Sequence, residues 1–423
     1  MTEHVALLHE GRVLVDAAGT LPSFVDPEDE STLATALVLV GADIAVAPTA
    51  KLPDGRKVHV VGRRGAAPSG RLVLPGDVAD PVVAEAVGRA VTELDPAHTP
   101  DARPGWYRPG WFDRVEAWVD GVLAGSGRRR TGPLVPVKMW SISAVARVVT
   151  DAGDLWLKAP CEHFRAEARV HPTVAGLFPD LVPTLVAVEE AEGWLLMEPM
   201  TGADDADRAD GAALEVVRRW AAAQLAAVGH VDDLLAGGCR GRGVDETLAG
   251  FHRVLAGSIE LPLLGDDELA AVRGCAADVE LLVRELWSAG VPDTLSHGDL
   301  HLGNVAWDGR SLRIFDWTDG CVSHPFLDAS HVTQFEQSGP DGPALRATYA
   351  EPWRAAYPDV DIDRAFVLAR LADLVFQAIT FDDIVSSTEP GSRWELGGVV
   401  ADILRALPAK VAELRGRDLT LLE

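Results

Sequence analysis

Along the first 65 residues, apolar and polar positions alternate in short runs, as in GRVLVDA and RKVHVVGRR, with a Pro-Asp-Gly turn at residues 53–55. A period of two broken by turn residues predicts strands and hairpins. DPVVAEAVGRAVTEL changes to the helical period, and the proline-rich DPAHTPDARPG, residues 95–105, marks a boundary. Beyond it, Trp111, Val115, Trp118, Val119 and Val122 share one helical face. GSGRRRTGP reads as a connector; a phosphate-binding patch is the alternative, but an arginine run in a linker is more often solvated. From Leu134 the pattern is strand-like again. AVARVVTDAGDLWLKAP gives two strands around a turn at residues 151–154, EHFRAEARV a helix that Pro172 should shorten or kink, and GWLLMEPM an apolar strand that stops at a proline. After Gly202 four long helical segments follow, GAALEVVRRWAAAQLAAV, DDELAAVRGCAADVELLVRELWSAG, RAFVLARLADLVFQAITFDDIV and GGVVADILRALPAKVAELRG. Strands first and helices after predict a bilobal α+β fold. The boundaries fall at 1–103 for an N-terminal β-rich cap subdomain, 104–200 for a small lobe and 201–423 for a mainly helical lobe.

Composition narrows the classes. The formal charge of −26 argues against nucleic acid as a partner, which needs a basic surface. A nucleotide needs only a local group of donors. No apolar run reaches the roughly 18 residues that a membrane helix needs; LATALVLVGADIAVAP is interrupted by Asp43. The four cysteines have no CxxC spacing, so neither a zinc pattern nor a disulfide framework is expected. The first residues lack a basic n-region followed by an apolar h-region. Together these predict a cytoplasmic protein with reduced thiols and no membrane partner. Nothing in the chain bears on oligomeric state.

The chemistry concentrates in LSHGDLHLGNVAWDGRSLRIFDWTDG, residues 295–320. NVAWDGRSLRIFDW reads as a hairpin around Asp308-Gly309. A two-residue turn would pair Asn304 with Arg313 and leave Asp316 about 10 Å further along the strand. A four-residue loop at 308–311 instead pairs Asn304 with Phe315 and brings Asp316 beside Asn304. The second register is preferred because it joins two hard oxygen ligands, which suit Mg²⁺ completed by phosphate and water. Asp299, five residues before Asn304, can then orient a substrate hydroxyl and accept its proton. The spacing from Asp299 to Asn304 is that of the kinase catalytic loop.

HGDLHLGNV followed by IFDW closely resembles the catalytic signature of aminoglycoside phosphotransferases and choline kinases, a branch of the protein-kinase-like fold, over roughly residues 134–423. The resemblance implies ATP and Mg²⁺ as cofactors, Asp299 as catalytic base, Asn304 and Asp316 as metal ligands, and His297 as a structural brace. His301 matches the second histidine of the signature and receives no role. Lys158, at the end of LWLK, matches the phosphate-binding lysine. Glu162 and Glu167 compete as its ion-pair partner, and Glu167 is favoured. LLMEPMTG resembles the adenine hinge, where the Glu198 carbonyl and the Met200 N–H would meet the base. No glycine-rich loop precedes Lys158; KMWSISAVARVV stands there, and Ser141 and Ser143 are the candidate phosphate contacts. No Walker A motif, HExxH or GxSxG elbow occurs.

For the acceptor, Asp373, Gln377, Thr380 and Asp383 recur at helical spacing, and Trp394 and Glu395 follow in a Gly/Ser/Pro-rich segment. An aromatic plate with an amide and carboxylates suits a sugar, and the carboxylates suit an aminosugar. Gln377, Asp383, Trp394 and Glu395 are therefore the candidate substrate contacts, with Asp299. The layout of the N-terminal cap resembles actinobacterial maltokinases and the glucosamine kinases related to them. The expected activity is ATP-dependent phosphorylation of glucosamine at the 6-hydroxyl, with maltose second and an aminoglycoside third. A nucleotide-binding regulator without turnover is the reading from another class; it predicts loss of the base or a metal ligand, and all three are present.

Overall fold

The alternating N-terminal residues build a sheet. In this computed structural model, which describes residues 2–26, 32–64, 68–202, 212–332 and 342–416, β1 (Thr2–His9), β2 (Arg12–Val15), β3 (Ser23–Val25), β4 (Ile44–Lys51), β5 (Lys57–Gly62) and β6 (Arg71–Val73) form one six-stranded sheet in the order β4-β5-β1-β2-β6, with β3 on β1. Pairing is antiparallel except between β1 and β5. The stretch also contains α1 (Thr32–Val40), a helix where strands were expected. TLATALVLV has no period-two alternation, and it buries Ala36 and Leu37 on one side. Helix α2 (Pro81–Thr92) starts where DPVV predicts: Asp80 Oδ1 accepts from the N–H groups of Val82 and Val83, and Pro81 takes the first helical position.

Helix α3 (Trp111–Ser126) buries Trp111, Phe112, Val115, Val119 and Leu123, while Trp118 and Val122 lie at the edge of the same core. That core covers a second sheet, β7 (Val135–Met139), β8 (Ser143–Val148), β9 (Leu155–Pro160), β10 (Leu185–Glu189) and β11 (Trp194–Met197), ordered β10-β11-β9-β8-β7. The arginines of GSGRRRTGP behave as a connector. Arg128 pairs with Glu198 at 2.9 Å, Arg129 with Asp151 at 3.0 Å, and Arg130 with Asp120 at 2.9 Å.

The helical part comprises α4 (Glu167–Leu177), α5 (Ala212–Ala227), α6 (Val231–Ala236), α7 (Val244–Gly257), α8 (Asp266–Ser288), α9 (Phe326–Val332), α10 (Gly342–Ala356), α11 (Ile362–Ser387) and α12 (Val399–Gly416). Helix α4 continues through Pro172 for five further residues, longer than the proline suggested. Among these helices sit two small sheets. One holds β12 (Arg240–Gly241), β16 (Cys321–Ser323) and β13 (Thr294–Ser296); the other is the hairpin of β14 (Val305–Trp307) and β15 (Leu312–Ile314). The architecture is therefore α+β, with sheets early and helices late. No helix among the described residues is long and apolar enough to cross a membrane, and the four cysteines are unpaired.

Two compact units emerge. The first comprises 1–165, 185–199 and 387–395; the second comprises 166–184, 200–386 and 396–423. Residues 387–395, between α11 and α12, thus belong with the sheets and not with the helices that flank them.

The N-terminal sheet contains a buried ionic group. Glu3 on β1, fully buried, accepts from His59 Nε2 at 2.6 Å and lies 3.1 Å from Lys57 Nζ, which is its register partner on β5. Glu3→Ala leaves both donors without that carboxylate and is expected to cost about 3 kcal/mol, read as a lower urea midpoint. A loss within error of zero would show that Asp26, 3.3 Å from Lys57, is partner enough.

Candidate active site

Strand β13 delivers the chain to His297. Two successive N–H groups, those of His297 and Gly298, donate to Asp328 Oδ2 and Oδ1 at 2.8 and 2.9 Å. Trp220 Nε1 and Gln224 Nε2 also donate to Oδ2, at 3.0 and 3.1 Å. Asp328 is fully buried, so these charge-assisted bonds set the entry to the loop. Gly298 has φ of 81°, and a Cβ there would lie 2.8 Å from the Asp319 carbonyl oxygen, so glycine is required on both counts. The Gly298 carbonyl accepts from Gln377 Nε2 at 3.0 Å. The backbone leading into Asp299 is thereby held on both sides.

Beyond it, the loop folds on itself. His301 Nδ1 accepts from the Gly303 N–H at 3.0 Å and caps the short turn Leu302–Asn304. Its Nε2 lies 3.7 Å from Asp299 Oδ2. This gives His301 a place that the motif did not supply. Asn304 Nδ2 donates to the Asp299 carbonyl at 2.9 Å, so its Oδ1 is the oxygen not used in that bond. Both Asp299 and His301 are about half exposed.

The hairpin has the four-residue loop and the preferred register. Val305 opposes Ile314, Trp307 opposes Leu312, and the Phe315 N–H donates to the Asn304 carbonyl at 2.9 Å. Asp316 is the next residue. Its backbone is left-handed, with φ of 66°, a conformation that costs a non-glycine residue energy and recurs at functional sites. The Trp317 N–H just beyond it donates to Glu167 Oε1 at 3.0 Å, and Asp316 Oδ1 accepts from Thr318 Oγ1 at 2.8 Å. His297 braces the same point. Its buried ring packs 4.7 Å from Trp317, and its Nε2 donates to the Phe315 carbonyl at 3.0 Å.

A third carboxylate, absent from the sequence expectations, joins Asp299 and Asp316. Burial pushes the Asp319 carboxyl up to about 7; Asp299 and Asp316 push in the same direction, and Arg242 opposes them. Arg242 is fixed by Thr380 Oγ1 at 2.7 Å, by the Phe376 carbonyl at 3.1 Å, and by the Phe376 ring. The crowding of negative charge fits a dication. Among the described residues, no group of three or more His, Cys, Asp or Glu side chains could hold a metal ion. An amide oxygen with one carboxylate, completed by phosphate and water, is nevertheless a donor set that suits Mg²⁺. Asn304 and Asp316 are the residues that would hold it.

The other expected residues divide between the units. In the first, Lys158 is buried on β9 opposite Val145 of β8. Glu198 pairs with Arg128. The Ser141 N–H donates to Glu395 Oε2 at 2.8 Å, and Ser143 Oγ accepts from Trp140 Nε1 at 2.9 Å. Lys51 and Lys57 lie over the Trp394 ring, 5.5 and 5.9 Å from its centre. In the second unit, Glu167 is buried at the start of α4 and Met200 follows the crossing from the first unit. Gln377 meets Gly298, and Asp383 accepts from Arg253 at 2.5 Å. Asp328, Asp319 and Arg242 went unmarked in the sequence. Asp319 had one available signal, its place three residues after Asp316 in the same polar stretch; a single sequence offers none for the other two.

Two outcomes follow from this geometry. Asp328→Ala strands three buried donors, because Gln224 Nε2 keeps the Leu295 carbonyl at 3.0 Å, and should cost at least about 3 kcal/mol, read by chemical denaturation; a wild-type midpoint would show that the loop holds itself. Asp319 titrates at about 7 in the folded chain against its ordinary 3.8, so its stabilising contribution is complete below about 4 and is lost as pH rises to 7. Asp319→Asn should therefore gain on wild type between pH 5 and 8 in urea unfolding; parallel profiles would place Asp319 outside the cluster.

Residues 140–363 match the model of the phosphotransferase enzyme family (APH). No curated protein matches the chain. Among solved structures, it is similar to a choline/ethanolamine kinase family protein from Mesorhizobium loti at 16% identity, over 72% of this chain and 99% of that one, with a TM-score of 0.47. A type I macrolide 2'-phosphotransferase shares 18% identity, over 69% of this chain and 96% of that one, with a TM-score of 0.47. Choline kinase LicA from Streptococcus pneumoniae shares 10% identity, over 71% and 99%, also with a TM-score of 0.47. The family match spans more than half of the chain and includes the whole catalytic loop and hairpin, so the protein, with its α+β fold, belongs to the phosphotransferase enzyme family.

Proposed function

We propose that the protein transfers the γ-phosphoryl group of ATP to a sugar hydroxyl, with glucosamine as acceptor and its 6-hydroxyl as nucleophile. The observation that carries the reading is the open end of the β14–β15 hairpin. There Asn304 is tied to Asp299, and Asp316 directly follows the residue paired with Asn304. Asp299 takes the proton of the attacking hydroxyl. The sugar oxygen forms its bond to phosphorus as the bond to the β-phosphate oxygen breaks, giving a sugar phosphate and ADP. Mg²⁺ bound by Asn304 and Asp316 would neutralise the phosphate oxygens. Lys158 would serve the phosphates, with Glu167 as its partner, and the Glu198 carbonyl and Met200 N–H the adenine. His301 Nε2 lies 3.7 Å from Asp299 Oδ2, beside the carboxylate that would accept the proton.

For the acceptor, Gln377 touches the catalytic loop itself, and Asp383 lies on the same helix. In the first unit Trp394 and Glu395 would supply an aromatic face and a carboxylate for an aminosugar, and in the second Asp383 is the candidate carboxylate. The N-terminal sheet is the further support, because its layout resembles the caps of sugar kinases. One observation favours a neutral sugar such as maltose as the second reading. Lys51 and Lys57 occupy a face of Trp394, and an ammonium-bearing sugar stacked on that face would meet like charge.

ATP consumption with Mg²⁺ over a panel of glucosamine, maltose and an aminoglycoside tests the reading. Turnover with glucosamine is expected, and Asp299→Asn should lower kcat by about 10²–10⁴-fold while nucleotide still binds. Turnover with maltose alone would replace the acceptor. An unimpaired Asp299→Asn would remove the assigned base, and inert panels throughout would favour a non-catalytic nucleotide-binding regulator.

A further inference from the structure

The loop Trp140–Ile142 joins β7 to β8 just ahead of the strand that carries Lys158, and no glycine occurs between Gly132 and Gly153. Backbone amides presented to a phosphate usually rely on glycine for close approach. This loop instead consists of ordinary residues, and its shape is imposed from outside. The Trp140 carbonyl accepts from Trp106 Nε1 at 3.1 Å, and the Met139 carbonyl accepts from the Tyr107 hydroxyl at 3.0 Å. The Ser141 N–H at the tip donates to Glu395 Oε2 at 2.8 Å. Within the loop, Trp140 bonds twice to Ser143, through its backbone N–H at 3.1 Å and through its indole at 2.9 Å.

The outside contacts come from two segments far apart in the chain, and those segments are joined to each other. Arg103, two residues before the turn Gly105–Tyr107, is buried and donates through Nε to both Glu389 oxygens at 2.9 and 2.8 Å. Its Nη2 donates to Glu93 at the end of α2 at 2.5 Å. Trp106 and Tyr107 are themselves buried, so their donors have little freedom to swing away. Cap helix, linker and the 387–395 segment therefore form one frame around the loop.

We propose that Trp106, Tyr107 and Glu395 are positioning residues for nucleotide binding: together they hold the β7–β8 loop, in place of the flexibility of glycine, in the form that receives the phosphates. The inference rests on the reading of this protein as an ATP-dependent phosphotransferase. It assigns the linker between cap and small lobe a part in nucleotide affinity, and it assigns Glu395 a part that needs no sugar present.

The test is a fluorescence titration with Mg²⁺ and a non-hydrolysable ATP analogue, without any sugar, on wild type, Trp106→Phe, Tyr107→Phe, Glu395→Ala and Glu395→Gln. Thermal unfolding of each variant is followed alongside. Trp106→Phe, Tyr107→Phe and Glu395→Ala should each weaken binding by about tenfold, the equivalent of one hydrogen bond. Glu395→Gln keeps an acceptor oxygen for the Ser141 N–H and should bind the analogue more tightly than Glu395→Ala. Wild-type affinity in all of the variants, with only melting temperatures lowered, would overturn the proposal and leave the phosphotransferase reading intact. Failure of the wild type itself to bind the analogue would overturn both.

Discussion

Asp328 takes four donors on one buried carboxylate: two consecutive backbone N–H groups of the catalytic loop and the side chains of Trp220 and Gln224 on α5. Without that anchor, His297 and Gly298 would have buried amides with no partner in the loop, and the chain would have no reason to turn there. Everything downstream inherits the turn. Gly298 can press against Asp319 because its backbone is fixed, Asp299 emerges half exposed, and Asn304 reaches back to the Asp299 carbonyl. The same α5 glutamine accepts from the Tyr349 hydroxyl, so the anchor is continuous with the core of the second unit. Precise placement of the loop thus depends on helix packing together with the loop's own Gly298, His301 and Asn304.

The first unit solves a related problem by different means. Its phosphate-loop candidate lacks glycine, and its backbone carbonyls and amide are held by side chains drawn from a linker and from a segment between two helices of the other unit. A glycine loop obtains close approach from conformational freedom and loses entropy when ordered. A braced loop is ordered in advance, at the cost of burying Arg103 with Glu389 and holding it to the partly exposed Glu93. Such ion groups are tolerable when every partner stays in place, which explains why the surrounding residues are so completely buried.

These differences mark what a single sequence can reveal. The hairpin register was legible only through the need to join two oxygen ligands, since Asp308-Gly309 also allowed a two-residue turn with Asn304 opposite Arg313. The order of strands and helices was legible from periodicity, and α3, α5, α8, α11 and α12 fall where the pattern put them. Helix α1 was misread because a run of Leu, Ala, Thr and Val without alternation fits either state, and tertiary burial of Ala36 and Leu37 decided it. The frame around the β7–β8 loop was invisible, since Arg103 and Glu389 are 286 residues apart and nothing local joins them. Asp328 reads as an ordinary residue at the start of a helix, and only the fold brings the loop to it.

Charge is the remaining constraint on the site. The chain is strongly acidic overall, and Asp299, Asp316 and Asp319 add a local concentration of carboxylates beside it. Left alone, that arrangement opposes folding, because like charges in a partly desolvated site raise each other's energy. Arg242 offsets some of it, and its geometry shows why it can: three contacts to α11 hold the guanidinium where it cannot follow the carboxylates out to solvent. A proton on Asp319 offsets more at acidic pH. Under the proposed function a dication at Asn304 and Asp316 supplies the rest and at the same time makes the acidic surroundings tolerable to a polyphosphate. The crowding would then be unfavourable in the resting protein and favourable only with cofactor bound, so that the binding energy of the metal nucleotide is set partly by repulsion built into the empty fold.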